Sequence, residues 1–166
     1  MKINSILIAN RGEIACRIIR TANEMGIKTI AVYEEADSNA TFVSMSDVAV
    51  KLKNGYLDAD EIVDAAKKTG ADAIHPGYGF LSENSIFARK VIRNNIIWIG
   101  PTPYVIKVMG DKIKAKELAI KASVPTLEKA ESIKDTKQLG FPLLIKAAAG
   151  GGGKGMRIVN NKNELK

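Results

Sequence analysis

Short apolar segments alternate with amphipathic segments along the first hundred residues of the chain. Strand-length apolar runs occupy residues 3–9, 28–33, 47–50, 71–74 and 96–99. Helical periodicity occupies the intervening residues 12–25, 58–69 and 83–94. Because strands that alternate with helices form a parallel sheet with right-handed crossovers, this pattern predicts an α/β domain built on a mostly parallel sheet.

The first predicted helix, 12–25, has one apolar face that we expect to pack against this sheet. The face consists of Ile14, Ile18, Ala22 and Met25. Gly26 follows and is expected to close the helix as its C-terminal cap.

After residue 100 the pattern changes. Residues 101–124 are helical with a break at 110–111, and two apolar strands, 142–147 and 156–159, flank a glycine-rich segment. The last residues, 161–166, have the pattern of a capped helix of one turn, so we expect this second unit to be incomplete. The predicted parts are a domain at 1–104, a helical linker at 105–128 and the beginning of a second unit at 129–166.

The composition is typical of a globular protein with one domain and part of a second, at 166 residues, 46% apolar and 26% charged. No apolar run approaches the roughly 18 residues of a membrane-spanning helix, and no signal or transit peptide precedes the first strand. The single cysteine, Cys16, excludes an internal disulfide and fits the reducing cytoplasm, which we predict as the location. With only one histidine besides, no zinc site is expected.

The net charge of +7 lies in the C-terminal part of the chain. Residues 1–104 are balanced, with 12 basic and 12 acidic side chains, whereas residues 105–166 carry 13 basic and 6 acidic ones. Such a part can bind a nucleic acid, a nucleotide phosphate or an acidic partner. Because its basic residues are scattered at helical spacing and not in a run, we expect no binding to nucleic acid.

The segment KAAAGGGGKGMR at 146–157 is the most unusual part of the sequence. Its four consecutive glycines cost roughly 0.5–1 kcal/mol each in regular structure, and they allow backbone N–H groups to converge on phosphate oxygens. A P-loop requires other residues at Ala148 and Gly155, and a dinucleotide fingerprint requires a helix where 156–159 is strand-like. The remaining alternatives are a hairpin that covers a triphosphate and a linker without a ligand, and the cations at both ends favour the hairpin.

Four motifs resemble, in order, the signatures of biotin carboxylases. They are IANRGEIA at 8–15, HPGYGFLSEN at 75–84, MGDK at 109–112 and the segment at 146–157. The resemblance covers essentially the whole chain, with mild departures at Ala149 and Lys154. It implies a Rossmann-like pre-ATP-grasp domain with a parallel sheet, followed by the start of an ATP-grasp domain.

The resemblance also implies an enzyme, an ATP-dependent ligase. In this family ATP and bicarbonate form carboxyphosphate, which releases carbon dioxide for attack by the ureido nitrogen of biotin. The relatives include the biotin carboxylase subunit of acetyl-CoA carboxylase and the first domain of pyruvate and propionyl-CoA carboxylases. Which of these acceptors finally receives the carboxyl group is not predicted by the sequence.

For the nucleotide, the resemblance implies two lysines and a lid. Lys112 matches a lysine that reaches the phosphates from the linker, and the start of a solvated helix is its alternative. Lys146 matches a strand lysine at the α- and β-phosphates, and we expect it to need a partner because it ends the apolar run 143–145. The lid residues are Gly152, Gly153 and Lys154.

For the substrate, the resemblance places Tyr78 and Gly79 beside a pocket for biotin and bicarbonate, at the carboxyl edge of the sheet. Glu83 is a further candidate substrate residue, which would approach the phosphates, or it caps the next helix after Ser82, and the cap is the favoured interpretation. His75 is expected to orient the loop by a hydrogen bond and not to act as a base.

On the first helix, Arg17, Arg20 and Glu24 share a charged face. A solvated face is one interpretation, and the resemblance implies instead that this face meets its twin in a homodimer. Residues 10–13 join the first strand to this helix, whose N-terminus could hold an anion, but Glu13 would repel it. The resemblance suggests a structural role at the substrate edge for this turn.

The resemblance further implies Mg²⁺ with ligands beyond this chain, biotin presented by a biotin carboxyl carrier protein or domain, and a carboxyltransferase subunit as partner. No catalytic residue or metal ligand is predicted within the chain, which we therefore expect to be inactive alone. The alternatives are another ATP-grasp ligase of the carbamoyl phosphate synthetase or purine-pathway carboxylase kind, a nucleotide-binding module without chemistry, and a dinucleotide-dependent oxidoreductase.

Overall fold

The computed structural model describes residues 2–128, 130, 136–146 and 155–165. The chain divides into two compact units, of which one ends at Gly110 and the other begins at Asp111. This division coincides with the predicted break between two helices, while the predicted domain bounds at 104 and 128 stay predictions. No helix in the described ranges is long and apolar enough to cross a membrane.

The first unit is a five-stranded parallel sheet with helices on both faces. Its strands are β1 (Ser5–Ile8), β2 (Lys28–Tyr33), β3 (Val48–Lys51), β4 (Ala73–His75) and β5 (Ile97–Trp98). Its helices are α1 (Gly12–Glu24), α2 (Thr41–Met45), α3 (Ala59–Thr69), α4 (Ser85–Arg93) and α5 (Pro103–Met109). The strand order is β3-β2-β1-β4-β5 with every pair parallel, so the predicted parallel α/β fold is confirmed.

Two apolar layers lie on the two faces of this sheet. One layer includes Leu7, Ile74, Ile62 and Phe87, and the other includes Ile8, Ile19 and Phe42. Each of these side chains is at most 1% exposed. Since burial of such a side chain contributes about 1.5–3 kcal/mol, these layers are the main stabilising term of the unit.

The buried face of α1 differs from the predicted one. Ala15, Ile19 and Ala22 are buried, whereas Met25 is 67% exposed and Ile18 is only partly buried. The wide apolar stripe of this helix leaves its rotation undetermined in the sequence. In the structure Ala15 and Ala22 are buried beside Ile19, and their small side chains allow close approach of the helix to the sheet. Ile18 and Met25 lie to the side of this buried face.

The start of α4 also differs from the prediction. Neither Ser82 nor Glu83 caps this helix, because α4 begins only at Ser85. The backbone N–H of Ser82 bonds the carbonyl of Gly79 at 2.9 Å in the preceding turn. The cap is Asn84, whose side-chain oxygen accepts from the backbone N–H groups of Ile86 at 2.9 Å and Phe87 at 3.0 Å. The helix therefore begins two residues later than expected.

The second unit contains a pair of antiparallel strands and short helices. Its elements are α6 (Lys112–Lys121), α7 (Thr136–Leu139), β6 (Leu143–Lys146), β7 (Met156–Val159) and a 3₁₀ turn (Lys162–Glu164) where a capped helix was predicted. In the strand pair Leu143 lies opposite Val159 and Lys146 opposite Met156. The two predicted strands are thus confirmed, and the glycine-rich segment between them lies mostly outside the described residues.

Replacement of Asn84 by alanine tests the observed cap. Asn84→Ala is expected to lower the free energy of unfolding by about 1 kcal/mol, because two N–H groups of the first turn lose their acceptor. Ser82→Ala is the matched control and should have almost no effect, as measured by urea unfolding followed by circular dichroism. A larger decrease in the free energy of unfolding for Ser82→Ala than for Asn84→Ala would contradict the observed cap.

Candidate functional site

The loops after the parallel strands meet at one edge of the sheet. Residues 9–11 follow β1, residues 34–37 follow β2 and residues 76–81 follow β4. The first of these segments contacts the other two through side-chain hydrogen bonds. The strand order reverses beside β1 at the same edge, which is where open α/β sheets bind their ligands.

Asn10 joins the end of β1 to the loop after β4. Asn10 is 1% exposed, and its Nδ2 donates to the carbonyl oxygens of Pro76 at 2.7 Å and Tyr78 at 2.8 Å. The Asn10 side-chain oxygen accepts from the backbone N–H of Arg11 at 2.9 Å. Asn10 belongs to the motif at 8–15, but its role in holding the loop was not predicted. Its acceptors are 66 and 68 residues away in the sequence, so no local pattern indicates these contacts.

His75 and Gly77 set the path of the loop that follows β4. The backbone N–H of Gly77 donates to Nδ1 of His75 at 2.9 Å, which is the predicted orienting hydrogen bond. An Nδ1 that accepts this hydrogen bond fits a neutral imidazole with its proton on Nε2, and burial lowers the pKa of His75, which favours the same neutral form. Gly77 has φ +64, and a Cβ there would lie 2.5 Å from Nδ2 of Asn10, so only glycine fits.

The three predicted substrate residues differ in their surroundings. Tyr78 is 57% exposed, and its hydroxyl donates to the carboxylate of Glu13, which raises the pKa of the phenol. Gly79 has φ +65, and a Cβ at this position would meet none of the described atoms within 4 Å. Glu83 is exposed, and no hydrogen bond or ion pair joins it to another described residue. The edge thus presents an aromatic face and an open backbone.

An ion pair beside this edge, between the half-exposed side chain of Arg11 and the buried carboxylate of Asp37, was not predicted. Arg11 and Asp37 form two hydrogen bonds, one of them between Nε and Oδ2 at 2.6 Å, and the hydroxyl of Tyr56 donates to the same carboxylate. Arg11 holds the pKa of Asp37 below its usual range, and Asp37 in turn raises the pKa of Arg11. Burial raises the pKa of Tyr56. The group comes from three separate loops, so no sequence spacing could reveal it.

The cluster extends towards the loop after β4 through aromatic contacts. The guanidinium carbon of Arg11 lies 5.9 Å from the ring centre of Tyr56, and that ring is 5.4 Å from the ring of Phe80. Phe80 has φ +43, so the backbone turns sharply where this contact forms. The cluster therefore supports the far end of the loop that carries Tyr78 and Gly79.

The predicted nucleotide residues belong to the second unit. Lys112 is the exposed first residue of α6, after the cap Asp111, whose carboxylate accepts from Ile113 and Lys114 N–H groups at 3.1 Å each. Lys146 is the exposed last residue of β6, and two of the three apolar residues before it are exposed as well. Its role at the phosphates stays a prediction. The lid residues Gly152, Gly153 and Lys154 lie outside the described residues.

The charged face of α1 lies along an open groove of about 630 Å³ within the first unit. Arg17, Arg20 and Glu24 are exposed on its rim, as expected for a solvated or partner-binding face. No ion pair joins Arg20 to Glu24 among the described side chains, and Nε of Arg20 instead donates to the carbonyl of Cys16 at 3.5 Å. The apolar part of the groove includes Ile14, Ile18, Ile27 and Ile99.

The described ranges offer no group of three or more His, Cys, Asp or Glu side chains that could hold a metal ion. The Arg11–Asp37 pair does not provide one, because its single carboxylate is already used by a guanidinium and a phenol.

The strand order, with helices on both faces of the parallel sheet, defines a doubly wound α/β domain. A family model described as the biotin carboxylase N-terminal domain matches residues 2–106. A second, described as the ATP-binding domain of the carbamoyl-phosphate synthase L chain, matches residues 108–166. The chain therefore belongs to the biotin carboxylase N-terminal domain family, as the sequence motifs predicted.

Two relatives illustrate the similarity. The biotin carboxylase of Nostoc sp. is 49% identical over 178 residues, which cover 99% of this chain and 40% of the relative. The mitochondrial methylcrotonoyl-CoA carboxylase subunit alpha of Dictyostelium discoideum is 51% identical over 176 residues, which cover 98% of this chain and 25% of the relative. The chain thus spans less than half of the length of these relatives.

Two solved structures have the same fold. The biotin carboxylase domain dimer of Hydrogenobacter thermophilus 2-oxoglutarate carboxylase, in complex with MgADP, ADP and bicarbonate, has a TM-score of 0.87 and 46% identity over 99% of this chain and 39% of that one. A Campylobacter jejuni biotin carboxylase–βγ-ATP complex has a TM-score of 0.90 and 44% identity over 99% of this chain and 40% of that one. The predicted Rossmann-like domain followed by the start of an ATP-grasp domain is confirmed.

The Arg11–Asp37 pair predicts a pH-dependent loss of stability. Asp37→Asn is expected to lower the free energy of unfolding by about 1–3 kcal/mol at neutral pH, because the guanidinium loses its charged acceptor. Since the pKa of Asp37 is lowered on folding, the stabilisation is present above the unfolded pKa of about 3.9 and is lost as the pH falls through the lower folded value.

Urea unfolding at pH 7 and pH 3 measures this dependence. The difference in the free energy of unfolding between wild type and Asp37→Asn should be smaller at pH 3 than at pH 7. Glu35→Gln is the control, since its pair with Lys51 is exposed and should contribute little at either pH. An equal difference at both pH values would show that the pair does not act through the charge of Asp37.

Proposed function

We propose that this chain is the N-terminal part of an ATP-dependent biotin carboxylase, which carboxylates biotin on a carrier protein with bicarbonate and MgATP. The observation that carries the proposal is the neighbour from Hydrogenobacter thermophilus, a biotin carboxylase domain that is 46% identical over 99% of this chain and was solved with MgADP and bicarbonate. The family match over residues 2–106 supports the same assignment.

In the proposed reaction an oxygen of bicarbonate attacks the γ-phosphorus of ATP, and the bond to ADP breaks. The carboxyphosphate formed then releases phosphate and carbon dioxide, and the ureido nitrogen of biotin, after loss of its proton, attacks that carbon dioxide. The first transfer depends mainly on positioning and charge neutralisation. We assign that part to Lys112 and Lys146, with Gly152, Gly153 and Lys154 as the lid.

We assign the biotin and bicarbonate side to Tyr78, Gly79 and Glu83. The half-exposed ring of Tyr78 offers a flat apolar face to a fused bicyclic ligand, and the open backbone of Gly79 can approach a polar ring atom closely. Glu83 is exposed and available to the same edge. This division puts the nucleotide on the second unit and biotin on the first.

The remaining assignments concern partners. We propose a homodimer through Arg17, Arg20 and Glu24, a biotin carboxyl carrier protein or domain as the source of biotin, and a carboxyltransferase subunit as the next enzyme. The Mg²⁺ ligands and the base that deprotonates biotin are assigned to residues outside this chain. The cytoplasm is the proposed location of this chain. Some relatives, such as the methylcrotonoyl-CoA carboxylase subunit alpha of Dictyostelium discoideum, are named as mitochondrial proteins.

An activity assay tests the central proposal. The protein expressed at its full natural length is expected to release ADP from MgATP only when bicarbonate and free biotin are both present. The 166-residue chain alone is expected to show no biotin-dependent turnover. Bicarbonate-dependent ADP release that biotin does not affect would instead favour an ATP-grasp ligase of the carbamoyl phosphate synthetase kind, which the second family match also allows.

Calorimetry with MgADP tests the nucleotide assignment. Lys146→Ala is expected to weaken binding to the full-length protein about tenfold or more, because a charge-assisted hydrogen bond to phosphate is lost. Lys162→Ala removes an exposed lysine from the turn after β7 in the same unit and should leave the affinity unchanged. Equal affinity of the Lys146→Ala variant and the wild type would refute the role of Lys146 but not the fold.

A further inference from the structure

The loop that carries Tyr78 and Gly79 is held by the connection between β1 and α1. The amide of Asn10 donates one hydrogen to Pro76 O at 2.7 Å and the other to Tyr78 O at 2.8 Å. Its oxygen accepts from Arg11 N–H at 2.9 Å, so all three hydrogen bonds fix one orientation. A flipped amide would bring its oxygen against two carbonyl oxygens, which excludes the alternative.

The fit between this amide and the loop is close. Gly77 passes Nδ2 of Asn10 so closely that a Cβ would lie at 2.5 Å. The backbone of β4 is joined to β1 just before this point, where Ala9 N–H donates to His75 O at 2.9 Å. The Asn10 side chain therefore continues the hydrogen bonding between β1 and β4 beyond His75, the last residue of β4. It does so at the carbonyls of Pro76 and Tyr78.

A second anchor holds the same tyrosine from its other end. The hydroxyl of Tyr78 donates to the carboxylate of Glu13, three residues after Asn10. Tyr78 is thus tied at its carbonyl and at its phenol to one short connection, while its ring stays 57% exposed. The ring and the neighbouring Gly79 are held in place without being covered.

We infer that Asn10 is a positioning residue for the biotin side of the site, and that Glu13 is the second anchor of Tyr78. The inference rests on the proposed function, which places biotin against Tyr78 and Gly79. Asn10 does not touch the reacting atoms and acts by fixing the loop. Because a displacement of about 1 Å in a site costs on the order of 10²-fold, loss of this amide should affect the use of biotin and not that of ATP.

Steady-state kinetics of the full-length protein test the inference. Asn10→Ala is expected to raise the KM for free biotin about tenfold or more and to leave the KM for ATP unchanged. Asp72→Ala is the matched control, because Asp72 ties the same two strands at the opposite edge. Its carboxylate accepts from the N–H groups of Asn4 and Ser5 at 2.9 Å each and from the Ser5 hydroxyl at 3.0 Å.

Both replacements are expected to lower stability, so stability does not distinguish them, whereas the KM for biotin does. An unchanged KM for biotin in Asn10→Ala, or an equal rise in Asp72→Ala, would overturn the inference. Glu13→Ala provides a surface variant in case Asn10→Ala does not fold. It should raise the KM for biotin by a smaller factor, and Glu13→Gln, which keeps an acceptor for Tyr78, should restore it.

Hydrogen exchange on the 166-residue chain provides a measurement that needs no biotin. The amides of residues 77–79 should exchange faster in Asn10→Ala than in the wild type or in Asp72→Ala, and equal rates would overturn the inference. If the wild-type protein shows no biotin-dependent turnover, the proposed function fails and the biotin role of Asn10 fails with it. If biotin is used and its KM does not change in Asn10→Ala, the inference alone fails.

Discussion

The register of β1 between its two parallel neighbours determines most of the first unit. Ile6 lies opposite Thr29 on one side and Ala73 on the other, and Ile8 lies opposite Ala31 and His75. A slip of one residue would exchange the two faces of β1 and move its isoleucines out of their layer. The same slip would carry Asn10 away from the loop after β4. Core packing and site geometry therefore depend on one alignment.

The direction of the strands also explains the chemistry of the side chains that join them. The amino ends of parallel strands present N–H groups, and there the connecting side chains are carboxylates. Asp72 accepts from Asn4 and Ser5, and Asp47 accepts from the N–H of Thr29 at 2.7 Å. These hydrogen bonds hold the pKa values of Asp72 and Asp47 below their usual range. At the carboxyl ends the strands present carbonyls, so the connection there requires a donor, which the amide of Asn10 supplies.

The parts of the structure that follow from local periodicity were predictable, and those that depend on contacts between loops were not. The parallel sheet and the strands β6 and β7 follow from apolar runs of strand length bounded by turn residues. The rotation of α1 was not predictable because its apolar stripe is wide, and the cap of α4 was not because Ser82 and Asn84 are both good caps in isolation.

The site shows the same division. The position of residues 75–79 at the carboxyl edge and the hydrogen bond from Gly77 to His75 follow from a strand that ends in a glycine-containing loop. The group of Arg11, Asp37 and Tyr56 could not be found in the sequence, because its members are 26 and 19 residues apart and share no repeat. The roles of the lid residues at 152–154 stay predictions from the resemblance, since these residues lie outside the described part of the chain.

The long sequence separation between Asn10 and its acceptors has a consequence for the order of assembly. The amide reaches Pro76 and Tyr78 across 66 and 68 residues, so these hydrogen bonds cannot form until β4 has docked against β1. In the sequence β2, β3 and α3 lie between the two partners. Closure of such a long loop is entropically costly and is favoured only when many contacts form together. We therefore expect the loop that carries Tyr78 to take its native shape together with the docking of β4 against β1, and not before it.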